Sequence, residues 1–332
     1  MRIHSFVYTL LAGAAVVSSQ ARASISYWDF NVFSRGTIGT SVSAYGSDFQ
    51  GASAAVGSAY FSGFTVRGVA ATSPTIPGGF YGGSNFTLNG GSVDHGGLYV
   101  AGDISLSSAS VAHDVRGGGN LTGGTGTISG NTYIAGSNTS ALSFVGALNV
   151  GQAYTAPIDL NDASSYFLTT SNYAASLSPT AGYVNEWGHL KISTGNAALT
   201  VVNISTTDYL NAWGVTVDGS GTVIVNVGGS SLTLNYKTWS YTGGASNQNT
   251  LLNLNEATTL NLNNGAKVNI LAPNAATHFS SGLVEGDLIV GSLTGSGQVN
   301  WAGGFSGEHV IPAPGAAVIA IMGGMAMLRR RR

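Results

Sequence analysis

The sequence predicts a mainly β protein: an irregular right-handed parallel β-helix, built as a solenoid of 17–18-residue rungs with one flanking α-helix. Three observations predict it. Apolar columns recur every 17 or 18 residues, short alternating apolar runs are bounded by Gly, Asn and Ser, and one stretch carries a 3.6-residue stripe. Composition agrees. The 332 residues include 49 Gly, 7 Pro and no Cys, with 43% apolar and only 8% charged. That excludes a collagen-like chain, a disulfide scaffold and a zinc-thiolate site. It also leaves enough apolar surface to offset the entropy of ordering the chain.

The chain opens with Arg2 and His4, an apolar run from Phe6 to Val17, and the small-x-small trio Ala21-Arg22-Ala23. This order of features predicts a secretory signal over residues 1–23, cut after Ala23. The columns begin in the body that follows. Phe86, Ile104 and Leu121 are 18 and 17 apart; Val93, Val111 and Ile128 repeat those steps; Gly102, Gly119 and Gly136 are 17 and 17 apart. One rung cannot bury its apolar side alone, so a core arises only by stacking rungs, with Gly and Asn supplying the corners. Low charge fits, because like charges stacked along one face would repel. An antiparallel β-sandwich, with strands every ~8–12 residues, is the competing architecture.

Leu160, Ala163, Phe167, Thr170, Ala174 and Leu177 fall at offsets 0, 3, 7, 10, 14 and 17, which predicts a helix over about 159–178. Asp159 caps it and Pro179 ends it. The period then returns. Asn263-Asn264-Gly265 aligns with Ser280-Ser281-Gly282 at 17, and Ile270–Asn274 aligns with Leu288–Ser292 at 18. The solenoid domain is placed at 24–305.

A second ordered segment occupies 310–332. Pro312-Ala313-Pro314 precedes the apolar residues 316–328 and then Arg329, Arg330, Arg331 and Arg332. Thirteen apolar residues of helix span only ~20 Å, short for a permanent membrane helix. The arginines hold their end on the cytoplasmic side. This tail resembles the PEP-CTERM sorting signal of Gram-negative exopolysaccharide producers, with Pro-Ala-Pro in place of Pro-Glu-Pro. The resemblance implies Sec export, transient inner-membrane insertion through 316–328, and processing near Pro314 by an exosortase.

From Tyr27 to Trp301 the body resembles the choice-of-anchor A domain of exported bacterial surface proteins. The matching stretches are Phe30-Asn31-Val32-Phe33, Ser47-Asp48-Phe49-Gln50-Gly51, residues 269–275 (Asn-Ile-Leu-Ala-Pro-Asn-Ala) and residues 290–300 (Val-Gly-Ser-Leu-Thr-Gly-Ser-Gly-Gln-Val-Asn). The Ile-Leu-Ala-Pro-Asn block is also similar, distantly, to the closing rungs of bacterial ice-binding solenoids, which implies a helix packed beside an irregular β-helix.

Six of the twelve Lys and Arg lie in the two end segments and all fourteen Asp and Glu lie between them, so the body carries −8. No clustered basic face exists for nucleic acid. His95, His113, His189, His278 and His309 show no zinc spacing, although His95 and His113 are 18 apart and so share a corner of neighbouring rungs. No nucleophile elbow or thiol is present, and Arg116-Gly117-Gly118-Gly119-Asn120 is a corner, since no Lys-Ser/Thr or helix follows. Glu285 and Asp287, two apart, are the best acid pair and are expected at an exposed polar corner. Asp48, Asp94, Asp103, Asp114, Asp218 and Asp287 adjoin turns and are expected to be solvated there, without the calcium nonapeptide. Trp28, Trp187, Trp213, Trp239 and Trp301 are expected mostly to plug core ends, a few being free to stack on sugars.

These readings lead to an exported, non-enzymatic cell-surface or matrix protein without cofactor or metal, associated with exopolysaccharide or biofilm. The alternative is an adhesin-type module for glycan, protein or ice. Thr125-Gly126-Thr127 is the only evident Thr-x-Thr of a rung, which disfavours ice.

Overall fold

The computed structural model describes residues 25–67 and 75–310. The signal residues Ala21 and Ala23 and the tail residues Pro312, Ala313, Pro314 and Arg329 to Arg332 lie outside them. Among the described residues, no helix is long and apolar enough to cross a membrane.

The body is a parallel β solenoid with three faces. The predicted columns are its register: Phe86 pairs with Ile104 and Ile104 with Leu121, while Val93 pairs with Val111 and Val111 with Ile128. The glycine column closes rung on rung, Gly119 N–H donating to Gly102 O and Gly136 N–H to Gly119 O, both at 2.9 Å. Gly123 shows why the period needs glycine. Its φ is +135°, and a Cβ there would overlap the Leu106 carbonyl oxygen.

Corner side chains add a second stitching. Asn85 Oδ1 accepts the Asp103 N–H at 2.9 Å, Asp103 Oδ1 the Asn120 N–H at 2.7 Å, and Asn120 Oδ1 the Ser137 N–H at 2.9 Å. At another corner Asp114 Oδ1 accepts the Asn131 N–H at 2.8 Å, and Asn131 Oδ1 the Ala147 N–H at 3.0 Å. Asp103 and Asp114 thus hold the next rung's backbone rather than standing free in solvent.

The order of the rungs is not the order of the chain. One face runs, strand beside parallel strand, from Leu199–Ile204 through Thr222–Val227 and Thr250–Asn253 to residues 269–272 and Leu288–Gly295. The next strand on that face is the first of the described residues, Phe30–Ser34, with Val32 opposite Leu288 and Phe33 opposite Ile289. The face then climbs through Ala52–Ala55, Phe80–Gly82, Leu98–Val100, Val115–Gly117 and Thr132–Ile134 to Leu148–Val150. The described residues therefore start mid-stack, build outward to residue 150, and restart at the far end to build back to Phe30–Ser34.

The return is made by α1 (Leu160–Ser176). Asp159 Oδ1 caps it by accepting from Asn161 N–H (2.9 Å) and Asp162 N–H (3.2 Å), as expected. Seventeen residues of helix run ~25 Å, the height of about five rungs at ~4.8 Å each. Leu160, Ala163, Phe167 and Ala174 bury against the outer side of the first face, where Phe33, Val201, Ile224, Leu251, Leu271 and Ile289 form a second core. That face is thus buried on both sides, so Phe30–Ser34 and Thr250–Asn253 are wholly buried strands. Polar pins fix the helix: Ser171 Oγ donates to Asn253 Oδ1 (2.6 Å), and Asn226 Nδ2 to Ala174 O (3.0 Å).

Rung length departs from 17–18 at the returning end. Val201 to Ile224 and Ile224 to Leu251 are register partners 23 and 27 residues apart. The first of these rungs holds α2 (Thr206–Asn211) where a second-face strand would stand. The predicted 17-residue match of Asn263 with Ser280 is also corrected: a bulge after Leu262 pairs Asn263 with Ser281 and Asn264 with Gly282. Around the returning end, the third face is a separate four-stranded sheet. Tyr183–Glu186 lies antiparallel on His189–Ser193, which is followed in parallel by Gly214–Asp218 and Thr238–Thr242.

Candidate functional site

The acid pair expected at an exposed corner does not form. Glu285 is partly exposed and paired with Lys267 at 3.1 Å. Asp287 is fully buried, which overturns the expected solvated position. Its Oδ2 accepts the Phe305 N–H at 2.9 Å, and its Oδ1 has no partner among the described residues. Burial raises its pKa well above the usual carboxylate range. The reason lies in the register. Asn269 Oδ1 holds the Asp287 N–H at 2.8 Å, so this residue leads into the strand Leu288–Gly295 beneath the segment that carries Phe305.

His95 and His113 sit two residues after paired Val93 and Val111, at neighbouring corners. The described residues gather no group of three His, Asp or Glu. The outward columns of the other two faces carry small hydroxyls. Thr65, Ser92, Ser110, Thr127 and Ser143 are successive register partners on the third face, and Thr87, Ser105 and Thr122 on the second.

Two concave places stand out among the described residues. One, of about 370 Å³, lies where the outer side of the first face meets the start of α1. Tyr81 and Tyr99 stack there at 5.2 Å and 12°, beside Tyr154, Asp159 and Asn161. Burial raises the Tyr99 pKa and pushes that of Tyr154 up to about 12, so both are neutral hydrogen-bonding phenols at physiological pH.

The other, of about 430 Å³, is a shelf on the outer side of the four-stranded sheet, lined by Val184, Glu186, Lys191, Ser193, Thr216 and Asp218. The period-2 alternation of strands puts these outward, while Leu190, Ile192, Val215 and Val217 point into the core. Trp187 and Gly188 form the two-residue turn beside the shelf, at φ +54° and +81°. A turn with two positive φ values ordinarily uses Asn-Gly.

Trp187 is 98% exposed. Trp213 is 57% exposed, its N–H donates to Gly188 O at 2.9 Å, and its Nε1–H donates to Trp187 O at 3.0 Å. The next rung at this corner brings Tyr236, 62% exposed, next to Lys237. The three aromatic side chains most open to solvent among the described residues therefore share one corner of three consecutive rungs. Trp28 and Trp239, by contrast, are buried as expected.

Ring packing and hydrogen bonds support this corner from beneath. The His189 ring packs on Trp213 at 4.4 Å, and its Nε2 shares a hydrogen bond with Thr216 Oγ1 at 2.7 Å. Lys237 is buried and donates to Ala212 O (2.6 Å) and Leu210 O (3.2 Å), capping the end of α2. Asp208 accepts from Tyr183 OH (2.6 Å), Ser205 Oγ (2.8 Å) and Asn185 Nδ2 (3.1 Å), and these bonds hold its pKa below the usual range. They also tie the hairpin to α2.

A family model described as Putative Ice-binding-like adhesive domain matches residues 26–301. The chain belongs to this family. No curated protein and no solved structure matches it. Membership of an adhesive-domain family points to a non-enzymatic, surface-exposed binding protein.

Proposed function

We propose that this chain is an exported adhesin of a Gram-negative cell surface or matrix. It is delivered by the Sec machinery, processed by an exosortase at the tail of Pro312, Ala313, Pro314 and Arg329 to Arg332, and associated there with exopolysaccharide. The observation that carries the reading is the adhesive-domain match over residues 26–301, on a solenoid whose charge-poor outer faces present hydroxyls and aromatics. The apolar residues 316–328 stopped by four arginines support transient insertion and release.

Intact mass and cell fractionation test it. A product running from about residue 24 to about residue 314, found outside the inner membrane, is the expected result. Changing Arg329 to Arg332 all to Ser leaves full-length, unprocessed protein; normal processing of that variant contradicts the sorting role. Ice is the alternative ligand for the hydroxyl columns, and shaping of ice crystals by the purified protein would favour it.

A further inference from the structure

We propose that the Trp187, Trp213 and Tyr236 corner, with the shelf beside it, is a binding site for a neutral, extended polysaccharide lying along the solenoid axis. The inference rests on the exopolysaccharide reading above and gives it a place on the molecule.

At φ +54° Trp187 holds the left-handed backbone, which is strained for any residue with a Cβ. At 98% exposure its indole recovers no burial in return. The fold has no use for that side chain, whereas a ligand does. Trp187, Trp213 and Tyr236 stand at one corner of three stacked rungs, just before the paired residues His189, Gly214 and Thr238, so the patch runs along the solenoid axis, the direction an extended chain would take across it. Aromatic rings offer flat apolar faces to the C–H faces of sugars.

The shelf sets Ala181 and Val184 beside Glu186, Lys191, Ser193, Thr216 and Asp218, apolar surface for sugar C–H faces together with a mixed set of donors and acceptors suited to hydroxyls. Lys191 is paired with Glu186, and the body carries −8, so an anionic glycan is disfavoured and a neutral one preferred. A volume of about 430 Å³ is within the usual range for small-ligand sites.

The test uses the protein purified as it is secreted, in affinity electrophoresis. The gels contain either the producing cells' own exopolysaccharide or a soluble neutral β-glucan, and tryptophan fluorescence is followed in parallel. Retardation and a blue shift of emission are expected with at least one of the two. Trp187→Gly relaxes the turn and so keeps the melting temperature at or above that of the parent, while weakening binding tenfold or more. Trp187→Gly combined with Tyr236→Ala abolishes retardation, and Val42→Ser, at an exposed position elsewhere, leaves it unchanged. If the parent binds and the double variant binds equally well, the corner is not the site although the glycan reading survives. If the parent binds neither glycan, both fall. Parent protein that is retarded only by an added protein partner would assign the corner to protein recognition and overturn the proposal.

Discussion

Replacing Phe167 with Ala should loosen α1 from the face it covers. Phe167 is fully buried and its ring meets Phe33 at 5.0 Å, Trp28 at 5.2 Å edge-on, Tyr166 at 5.5 Å and Tyr27 at 6.4 Å. Truncation removes the transfer free energy of the ring and leaves a cavity walled by other rings that cannot collapse together, so the cost is about 3–5 kcal/mol. For a domain of this size 1 kcal/mol moves the melting temperature by roughly 2–4 °C, so a drop of about 6–20 °C is expected. Thermal unfolding followed by circular dichroism measures it. Phe167→Leu, which keeps most of the volume, should lose less than half as much. A Phe167→Ala variant melting within about 2 °C of the parent would refute the idea that α1 clamps the two halves of the stack.

Two further substitutions probe the interior. Asp287→Asn keeps an oxygen for the Phe305 N–H and removes a carboxyl whose folded pKa is raised. Such a group binds more protons folded than unfolded, so the parent loses stability as pH rises from the unfolded pKa of ~3.9 toward the folded value. The advantage of the variant in melting temperature should therefore be absent near pH 3.5 and grow toward neutrality; a constant difference across that range contradicts it. Gly123→Ala forces a side chain into φ +135° and against the Leu106 carbonyl, and should cost ~2 kcal/mol or more in urea unfolding. A neutral result would mean that this rung can shift.

The stacked middle was legible because a solenoid writes its register into sequence spacing: Phe86, Ile104 and Leu121 had to recur for the core to close. The helix was legible from Asp159 to Ala174 for the same reason at another period. The meeting of Phe30–Ser34 with Leu288–Gly295 was not, because a pairing across some 250 residues leaves no spacing to read. Nor was the aromatic corner, since the rungs at the returning end are lengthened by α2 and by longer connections. One local signal was available there. Trp187-Gly188 stands between two alternating runs, where a two-residue hairpin turn reads naturally. Asp287 misled by residue type: carboxylates are usually exposed, and only its pairing to Asn269 one rung away reveals the burial.

The closure of the stack upon its own beginning is the least local feature of the fold, pairing Val32 with Leu288. The chain has no cysteine, so an engineered pair gives a clean report. A Cβ built at Gly46 would stand 3.9 Å from Ser296 Cβ, inside the ~3.5–4.5 Å range of disulfides. Gly46→Cys with Ser296→Cys should therefore oxidise to one intramolecular disulfide, seen by mass and by a shift on non-reducing gels, with the fold intact. Free thiols persisting under oxidising conditions in a folded protein would contradict the closure and favour rungs stacked in chain order, with residues 46 and 296 far apart.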